Sequence, residues 1–197
     1  MDRGLLMVVS GPSGAGKGTV LSAVCQDEGV YYSVSATTRP MRPGEVDGVN
    51  YHFISQGEFE EMIEADSFLE HAEYCGHYYG TPLKIVGKML QDGKAVILEI
   101  EVQGALQIRE RAKDAVLVFL TPSTRDELRR RLKKRGSEGE EQIENRLLVV
   151  SRELEQLEQY DYIVRNDKLE DAVEELRAII LAERCKMSRR FEELRGV

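Results

Sequence analysis

Nine residues, Gly11-Pro12-Ser13-Gly14-Ala15-Gly16-Lys17-Gly18-Thr19, have the types and spacing of a loop that holds phosphates. Glycines let the backbone curl with its N–H groups turned inward, and a helix start adds partial positive charge at the same place. Lys17 then reaches the β- and γ-phosphates of a nucleoside triphosphate as a mobile cation. The pattern G-x-x-x-x-G-K-S/T is met through Lys17 and then departs. Gly18 stands where a Mg²⁺-binding hydroxyl is usual, and Thr19 comes one place later. Mg²⁺ is therefore expected through waters, or from Thr19 together with a distant carboxylate. The flanks separate this stretch from a chance glycine-rich turn. Leu5-Leu6-Met7-Val8-Val9 before it reads as a buried strand, and Val20, Leu21 and Val24 after it have helical spacing. Strand, glycine turn and helix start follow in order, so the chain is expected to bind a nucleoside triphosphate.

A nucleotide is a polyanion, whereas this chain carries a formal net charge of −8. Its cations must be gathered locally, and the same balance disfavours nucleic acid as a partner. One basic stretch surrounds the glycine-rich Arg135-Gly136-Ser137-Glu138-Gly139, which reads as a hinge. Arg129, Arg130, Lys133 and Lys134 read as a solvated helix face. Arg131, Arg135 and Arg146 bracket the glycines and are expected to swing over phosphates as a lid spanning 131–149.

The elements that must position these groups alternate. Strands are predicted at Leu5–Ser10, Tyr31–Val34, Ala95–Ile100, Ala115–Leu120 and Tyr162–Val164. Helices are predicted at about 17–27, 102–113, 123–135, 140–159 and 168–193. Near-continuous apolar runs such as Ala115-Val116-Leu117-Val118-Phe119-Leu120 indicate strands covered on both faces. The expected fold is α/β, a doubly wound five-stranded parallel sheet of the P-loop NTPase type, with core segments 1–35, 93–130 and 150–197. Residues 36–92 break the rhythm and read as an inserted antiparallel α+β subdomain. Within it, Ser55-Gln56-Gly57-Glu58 has the form of a capping box, and Thr81-Pro82 that of a helix start with proline at its first position. Inserts at the C-terminal edge of such a sheet commonly build a second substrate site. The stripe Leu169, Val173, Leu176, Ile179 and Ile180 on the last helix reads as core or subunit packing.

A hydrophobic share of 42% supports one real core, and no apolar run approaches the length of a membrane span. Met1-Asp2-Arg3-Gly4 leads straight into the first strand, which leaves no room for a signal peptide. Cys25, Cys75 and Cys185 are odd in number and scattered, which fits reduced thiols in a cytoplasmic protein. With His52, His71 and His77 equally scattered, no zinc site is expected. Either a monomer or a homodimer is compatible with these features.

The motifs of the insert resemble those of guanylate kinase, the nucleoside monophosphate kinase that moves phosphate from ATP to GMP. The similarity spans nearly the whole chain. Beyond the phosphate loop it includes Ser33-Val34-Ser35-Ala36-Thr37-Thr38-Arg39-Pro40-Met41-Arg42-Pro43-Gly44-Glu45, Gly48-Val49-Asn50-Tyr51-His52-Phe53, Phe68-Leu69-Glu70, Tyr78-Tyr79-Gly80-Thr81, Leu98-Glu99-Ile100-Glu101-Val102-Gln103-Gly104 and Arg131-Leu132-Lys133-Lys134-Arg135-Gly136. The resemblance implies that Ser35, Arg39, Arg42, Tyr51 and Tyr79 hold the GMP phosphate, while Glu70 and Thr81 read guanine. Arg39 and Arg42 lie three apart on a stiff proline-flanked loop, so both guanidiniums can aim at one dianion. A carboxylate such as Glu70 can accept from guanine N1–H and N2–H₂, and the hydroxyls of Thr81 and Ser35 can donate to O6. Adenine would set an acceptor against that carboxylate, a mismatch of about 10⁴ in selectivity. GMP and dGMP are the acceptors implied. Glu101 falls where the family commonly has aspartate, and is expected near GMP or the waters of Mg²⁺. Val164-Arg165-Asn166-Asp167 is similar to the family's loop beside adenine, which makes Asn166 a candidate ATP contact.

Two other readings share these motifs. One is a monophosphate kinase with another acceptor, against which Glu70 and Tyr78-Tyr79-Gly80-Thr81 weigh. The other is a catalytically inactive guanylate-kinase-like binding domain, which typically lacks the loop lysine or the lid arginines that are present here.

Overall fold

The computed structural model describes residues 4–74, 76–134 and 140–194. In chain order the elements are β1 (Leu5–Ser10), α1 (Lys17–Val24), β2 (Val30–Tyr32), β3 (Ala36–Thr37), β4 (His52–Phe53), α2 (Gln56–Glu64), β5 (Phe68–Tyr74), β6 (His77–Pro82) and α3 (Leu83–Gln91). They continue with β7 (Ala95–Glu99), α4 (Val102–Arg111), β8 (Val116–Thr121), α5 (Arg125–Lys134), α6 (Glu140–Leu154), β9 (Tyr162–Arg165), α7 (Leu169–Arg184) and α8 (Met187–Leu194).

The core is a five-stranded, all-parallel sheet in the order β2-β7-β1-β8-β9. Its central strand β1 is buried along its whole length. Alternate residues feed two apolar layers. Leu5, Met7 and Val9 pack with Val20, Leu21 and Val24 of α1 and with Val173, Leu176 and Ile180 of α7. Leu6 and Val8 pack on the other face with Val86 of α3 and with Ala105 and Ile108 of α4. Each of the larger of these side chains (Val, Leu, Ile, Met) contributes about 1.5–3 kcal/mol when fully buried. A one-residue slip of β1 would exchange the two layers, so its register is firmly set. The doubly wound arrangement expected from the apolar runs is therefore present.

Four parallel strands point their C-terminal ends at one edge: β1 at the phosphate loop, β7 at Glu99, β8 at Thr121 and β9 at Arg165. This edge is where ligands of open α/β sheets bind.

Residues 36–82 form a second sheet in the order β4-β3-β6-β5. It is mixed rather than antiparallel, because Ala36–Thr37 pairs in parallel with His52–Phe53 while the other pairs are antiparallel. A short strand at 36–37 escapes notice in sequence, since two residues carry no periodicity. Ser55 caps α2 as its sequence predicts, the Glu58 N–H donating to Ser55 Oγ and the Ser55 N–H to the Glu58 carboxylate. Pro82, expected as the first helical residue, instead closes β6 and caps α3, which starts one residue later at Leu83. Phe59, Phe68 and Ala36 form this subdomain's own apolar centre.

Three further boundaries differ from the sequence expectation. The second core strand runs Val30–Tyr32, ahead of the expected 31–34. The helix expected over 140–159 ends at Leu154 and gives way to a 3-10 turn at Leu157–Gln159. The helix expected over 168–193 breaks after Arg184. The break sets α8 so that Arg189 donates to the Asp114 carbonyl at 2.8 Å and lies 3.8 Å from the fully buried Glu183. Leu169, expected in the apolar stripe, is 38% exposed because it opens α7 at the rim. Cys25 and Cys185 are free thiols, and Cys75 lies outside the described residues. Among the described residues no helix is long and apolar enough to cross a membrane.

Candidate active site

The phosphate loop is pinned from three sides. Gly11 has φ +142, and a Cβ there would fall 2.1 Å from the Leu120 carbonyl oxygen, so only glycine permits the loop to leave β1 against β8. Gly16, with φ +89, caps α1 in the left-handed region. Asn166 Nδ2 donates to the Ala15 carbonyl at 2.8 Å, and Arg131 Nη1 donates to the same oxygen at 3.2 Å. Arg131 also donates to the Asn166 carbonyl at 2.7 Å and to Glu127 at 2.7 Å. The Arg130 and Arg131 guanidiniums hold Glu127 ionised, its pKa lowered to about 2. Arg146 Nη1 of α6 donates to Ser13 Oγ at 2.9 Å. Lys17, 9% exposed, donates to the Gly11 carbonyl. Arg131 and Arg146 thus stand against the loop that the sequence assigned them to, while Arg135 lies outside the described residues. Asn166, expected beside adenine, has its side-chain N–H₂ turned onto the loop backbone.

Beside the loop opens a cleft of about 950 Å³, lined by Gly14, Gly16, Lys17, Gly18 and Thr19 on one side and by Ser35, Tyr51, Glu99 and Glu101 on the other. Glu99 ends β7 and accepts from Tyr32 O–H at 3.1 Å. Burial pushes its pKa up, against the pull of Lys17 and the Tyr32 bond. A Cβ at Gly18 would sit 3.8 Å from Glu99 Oε2, so the missing side chain at position 18 leaves that carboxylate facing the loop. Glu101 is exposed at the start of α4. Behind them on α6, Glu153 has its pKa pushed up to about 7 by burial first and then by Glu101, with Lys17 opposing. Among the described residues its Oε2 is a buried atom with no hydrogen-bond partner.

A second hollow of about 200 Å³ adjoins the first and shares Ser35, Tyr51, Glu99, Ile100 and Glu101 with it. Glu70 lines this hollow, 4% exposed, and accepts from Thr81 Oγ1 at 2.6 Å. Burial raises the Glu70 pKa, opposed by Thr81. The Thr81 hydroxyl hydrogen is therefore directed to Glu70, and Thr81 itself is fully buried. At the outer rim, Arg39 makes a two-pronged pair with Glu45, at 3.0 and 2.8 Å, and donates to the Pro40 carbonyl at 2.7 Å. Its guanidinium carbon lies 5.4 Å from the Tyr51 ring centre and 5.6 Å from that of Phe53. Hydrogen bonds to Glu45 first, and also to Tyr79, raise its pKa further. Tyr51 and Tyr79 stack edge-on at 5.8 Å. Arg42 is exposed, and its backbone N–H donates to Glu45 at 2.7 Å.

Ser35, Tyr51, Tyr79, Glu70 and Glu101 thus line one hollow, with Thr81 bonded to Glu70 and Arg39 set on Tyr51, while Pro12, Ser13, Gly14 and Gly16 to Thr19 line the other. Sequence reasoning passed over three members of the site. Glu45 was quoted in a motif without a role, although an acid six residues after Arg39 is a ready partner. Tyr32 and Glu153 gave no signal, because only the fold brings them beside Glu99 and Glu101. Chemically, the arrangement offers a glycine-rich backbone, the start of α1 and the Lys17 cation to phosphates. It offers hard oxygen donors from Thr19 and Glu99 to a divalent ion, a set that suits Mg²⁺ held mainly by phosphates and water. Among the described residues no three His, Cys, Asp or Glu side chains stand close enough to cage a metal by themselves.

Comparison with known proteins agrees with this geometry. The family described as guanylate kinase matches residues 3–183. Guanylate kinase of Desulfitobacterium hafniense is 51% identical over 197 residues, covering 100% of this chain and 98% of the relative. That of Halalkalibacterium halodurans is 53% identical over 193 residues, covering 98% and 95%. Among solved structures, the crystal structure of guanylate kinase from Anaplasma phagocytophilum superposes with a TM-score of 0.80 at 31% identity, covering 98% of this chain and 94% of that one.

Proposed function

The chain belongs to the guanylate kinase family, and from that premise we propose which of its residues hold each nucleotide and how phosphate passes between them. The reaction is transfer of the ATP γ-phosphate to GMP, giving ADP and GDP. Residues 11–19 hold the ATP phosphates, with Lys17 reaching the β and γ groups and Asn166 keeping the loop in shape. Ser35, Arg39, Arg42, Tyr51 and Tyr79 of the 36–92 insert hold the GMP phosphate, and Glu70 reads guanine N1–H and N2–H₂. Thr81 seats that carboxylate through its hydroxyl hydrogen. dGMP presents the same base edge and phosphate as GMP and is the second acceptor in this proposal.

One observation carries this reading: the loop's cleft and the Glu70 hollow share a wall at Ser35, Tyr51, Glu99 and Glu101. An acceptor phosphate at that wall faces a γ-phosphate on Lys17. An oxygen of the GMP phosphate attacks the γ-phosphorus while its bond to the bridging oxygen breaks, and that oxygen leaves with ADP. The nucleophile is already an anion, so no general base is required. Catalysis is positioning and charge neutralisation. A cation–anion contact at 4 Å contributes about 4 kcal/mol at an effective dielectric of 20, before desolvation. Lys17, Arg39, Arg131, Arg146 and the 131–149 lid residue Arg135 supply such contacts. Mg²⁺, approached by Thr19 and Glu99 through oxygen or water, supplies further charge neutralisation when bound.

The test is ADP release in a coupled assay with ATP, Mg²⁺ and a panel of GMP, dGMP, AMP, UMP and dTMP. Turnover of GMP and dGMP at least about 10³-fold above AMP in kcat/KM supports the assignment of Glu70. Comparable turnover of AMP would overturn it.

A further inference from the structure

Gly104 lies three residues into α4, at a position where an alanine would serve a helix better than glycine. A Cβ placed there would fall 2.5 Å from Glu70 Oε2, 3.1 Å from Glu70 Cδ and 3.3 Å from Ile100 Cδ1. Among the described residues the one contact below 3.0 Å is therefore with the carboxylate assigned to guanine, and Ile100 need give only slightly. We propose that Gly104 is a specificity-positioning residue: its bare Cα is the floor on which the Glu70 carboxylate rests in the orientation that accepts from guanine. This inference rests on the guanine-reading role of Glu70.

The spacing between helix and strand cannot simply widen to admit a methyl group. One turn on, Gln107 grips the backbone of His71, accepting from its N–H at 3.3 Å and donating to its carbonyl at 2.8 Å. A further turn on, Arg111 donates to the Phe68 carbonyl at 2.9 Å. Positions 104, 107 and 111 share one helix face. Two of them clamp β5 on either side of Glu70, so the helix is tied down where the third must leave room. The bond from Thr81 at 2.6 Å holds the other carboxylate oxygen. Added volume at 104 would displace the flexible end of Glu70 and break that bond, while α4 stays in place. The first turn of α4 also places partial positive charge beside a buried carboxylate, which favours the ionised form that guanine requires.

The experiment is a double-variant cycle of Gly104→Ala and Glu70→Gln, read as kcat/KM for GMP, AMP and inosine monophosphate, with ATP affinity measured by calorimetry. Misplacement of a recognition group by about 1 Å costs on the order of 10²-fold. Gly104→Ala is expected to lower kcat/KM for GMP by about that factor, chiefly through KM, and to narrow the preference for GMP over inosine monophosphate, which lacks the 2-amino group. ATP affinity should stay within about twofold, and in the Glu70→Gln background Gly104→Ala should cost little more. Losses that multiply in the double variant overturn the inference, as does an unchanged KM for GMP in Gly104→Ala, while a selectivity loss in Glu70→Gln alone leaves the reading of Glu70 standing. If Glu70→Gln itself leaves selectivity unchanged, the assignment of guanine reading falls and the inference falls with it. A Gly104→Ala chain that does not unfold cooperatively, and is not rescued by shortening Glu70 to Asp, overturns it as well, because the glycine then serves packing alone.

Discussion

Arg39 and Glu45 meet in a two-pronged pair at 3.0 and 2.8 Å, with the guanidinium set over Tyr51 and Phe53 and the same carboxylate accepting the Arg42 backbone N–H at 2.7 Å. One acid thus fixes both the direction of Arg39 and the turn that carries Arg42. Three of the five Arg39 N–H groups are spent on Glu45 and Pro40, so in the proposed function those left for a phosphate are aimed in advance.

Replacing Glu45 by Gln should therefore weaken GMP binding even though it removes a negative charge from an anion site. Simple electrostatics predicts tighter binding; loss of orientation predicts KM for GMP raised about tenfold with KM for ATP unchanged. Steady-state kinetics with each substrate varied decides between the two.

Lys17→Met should leave the melting temperature within a few degrees and lower kcat by at least about 10²–10³-fold, the range for loss of one preorganised charge contact on the migrating group. Its ammonium is nearly buried against the loop, so a shortened neutral chain has room without repacking. Turnover near the parent's would remove the loop lysine from the account.

Glu70 has its pKa raised by burial, so acidification protonates it earlier than an ordinary glutamate. Guanine N1–H needs an ionised acceptor, hence affinity for GMP should fall as pH drops through that raised pKa, and binding should release protons to buffer. The stability sign is opposite. A carboxyl with a raised folded pKa stabilises the fold least above that pKa, so Glu70→Gln should melt higher than the parent at pH 8 and lose this margin toward pH 4. Calorimetric titration of GMP and thermal melts across pH test both halves.

Glu153 titrates near 7 in the fold against 4.5 as an ordinary glutamate. The folded state binds more protons than the unfolded chain between those values, so stability falls as pH rises through the window. With its partial exposure discounted, the buried charge costs on the order of 1 kcal/mol at pH 8, about 2–4 °C in melting temperature. Glu153→Gln should recover that margin at pH 8 and almost none at pH 5. Equal melting of parent and variant at both values would show that the group is fully solvated.

The parallel sheet was legible because its strands are apolar on both faces, and the phosphate loop because glycine spacing and Lys17 specify it locally. The mixed pairing of Ala36–Thr37 was not, since parallel contact between residues 36 and 52 is a matter of tertiary closure. The C-terminal break at Cys185 was hidden because no proline or glycine marks it, and buried Glu183 finds Arg189 at 3.8 Å only across the break. In the site, residues within motifs were visible as types, yet their partners were not. Thr81 seen in sequence looks like a donor to ligand, and only the 2.6 Å bond to Glu70 reveals where its hydrogen goes. Asn166 is similar, with the Ala15 carbonyl as its acceptor.

The acidic wall of Glu99 and Glu101 has a bearing on turnover. A cradle made solely of guanidinium and ammonium groups would grip every polyphosphate alike, and the nucleoside diphosphates it makes would linger. Carboxylates on the opposing side set a ceiling on how tightly a resting anion is held. On the function proposed above, that like charge opposes any anion resting in the cleft, product as much as substrate.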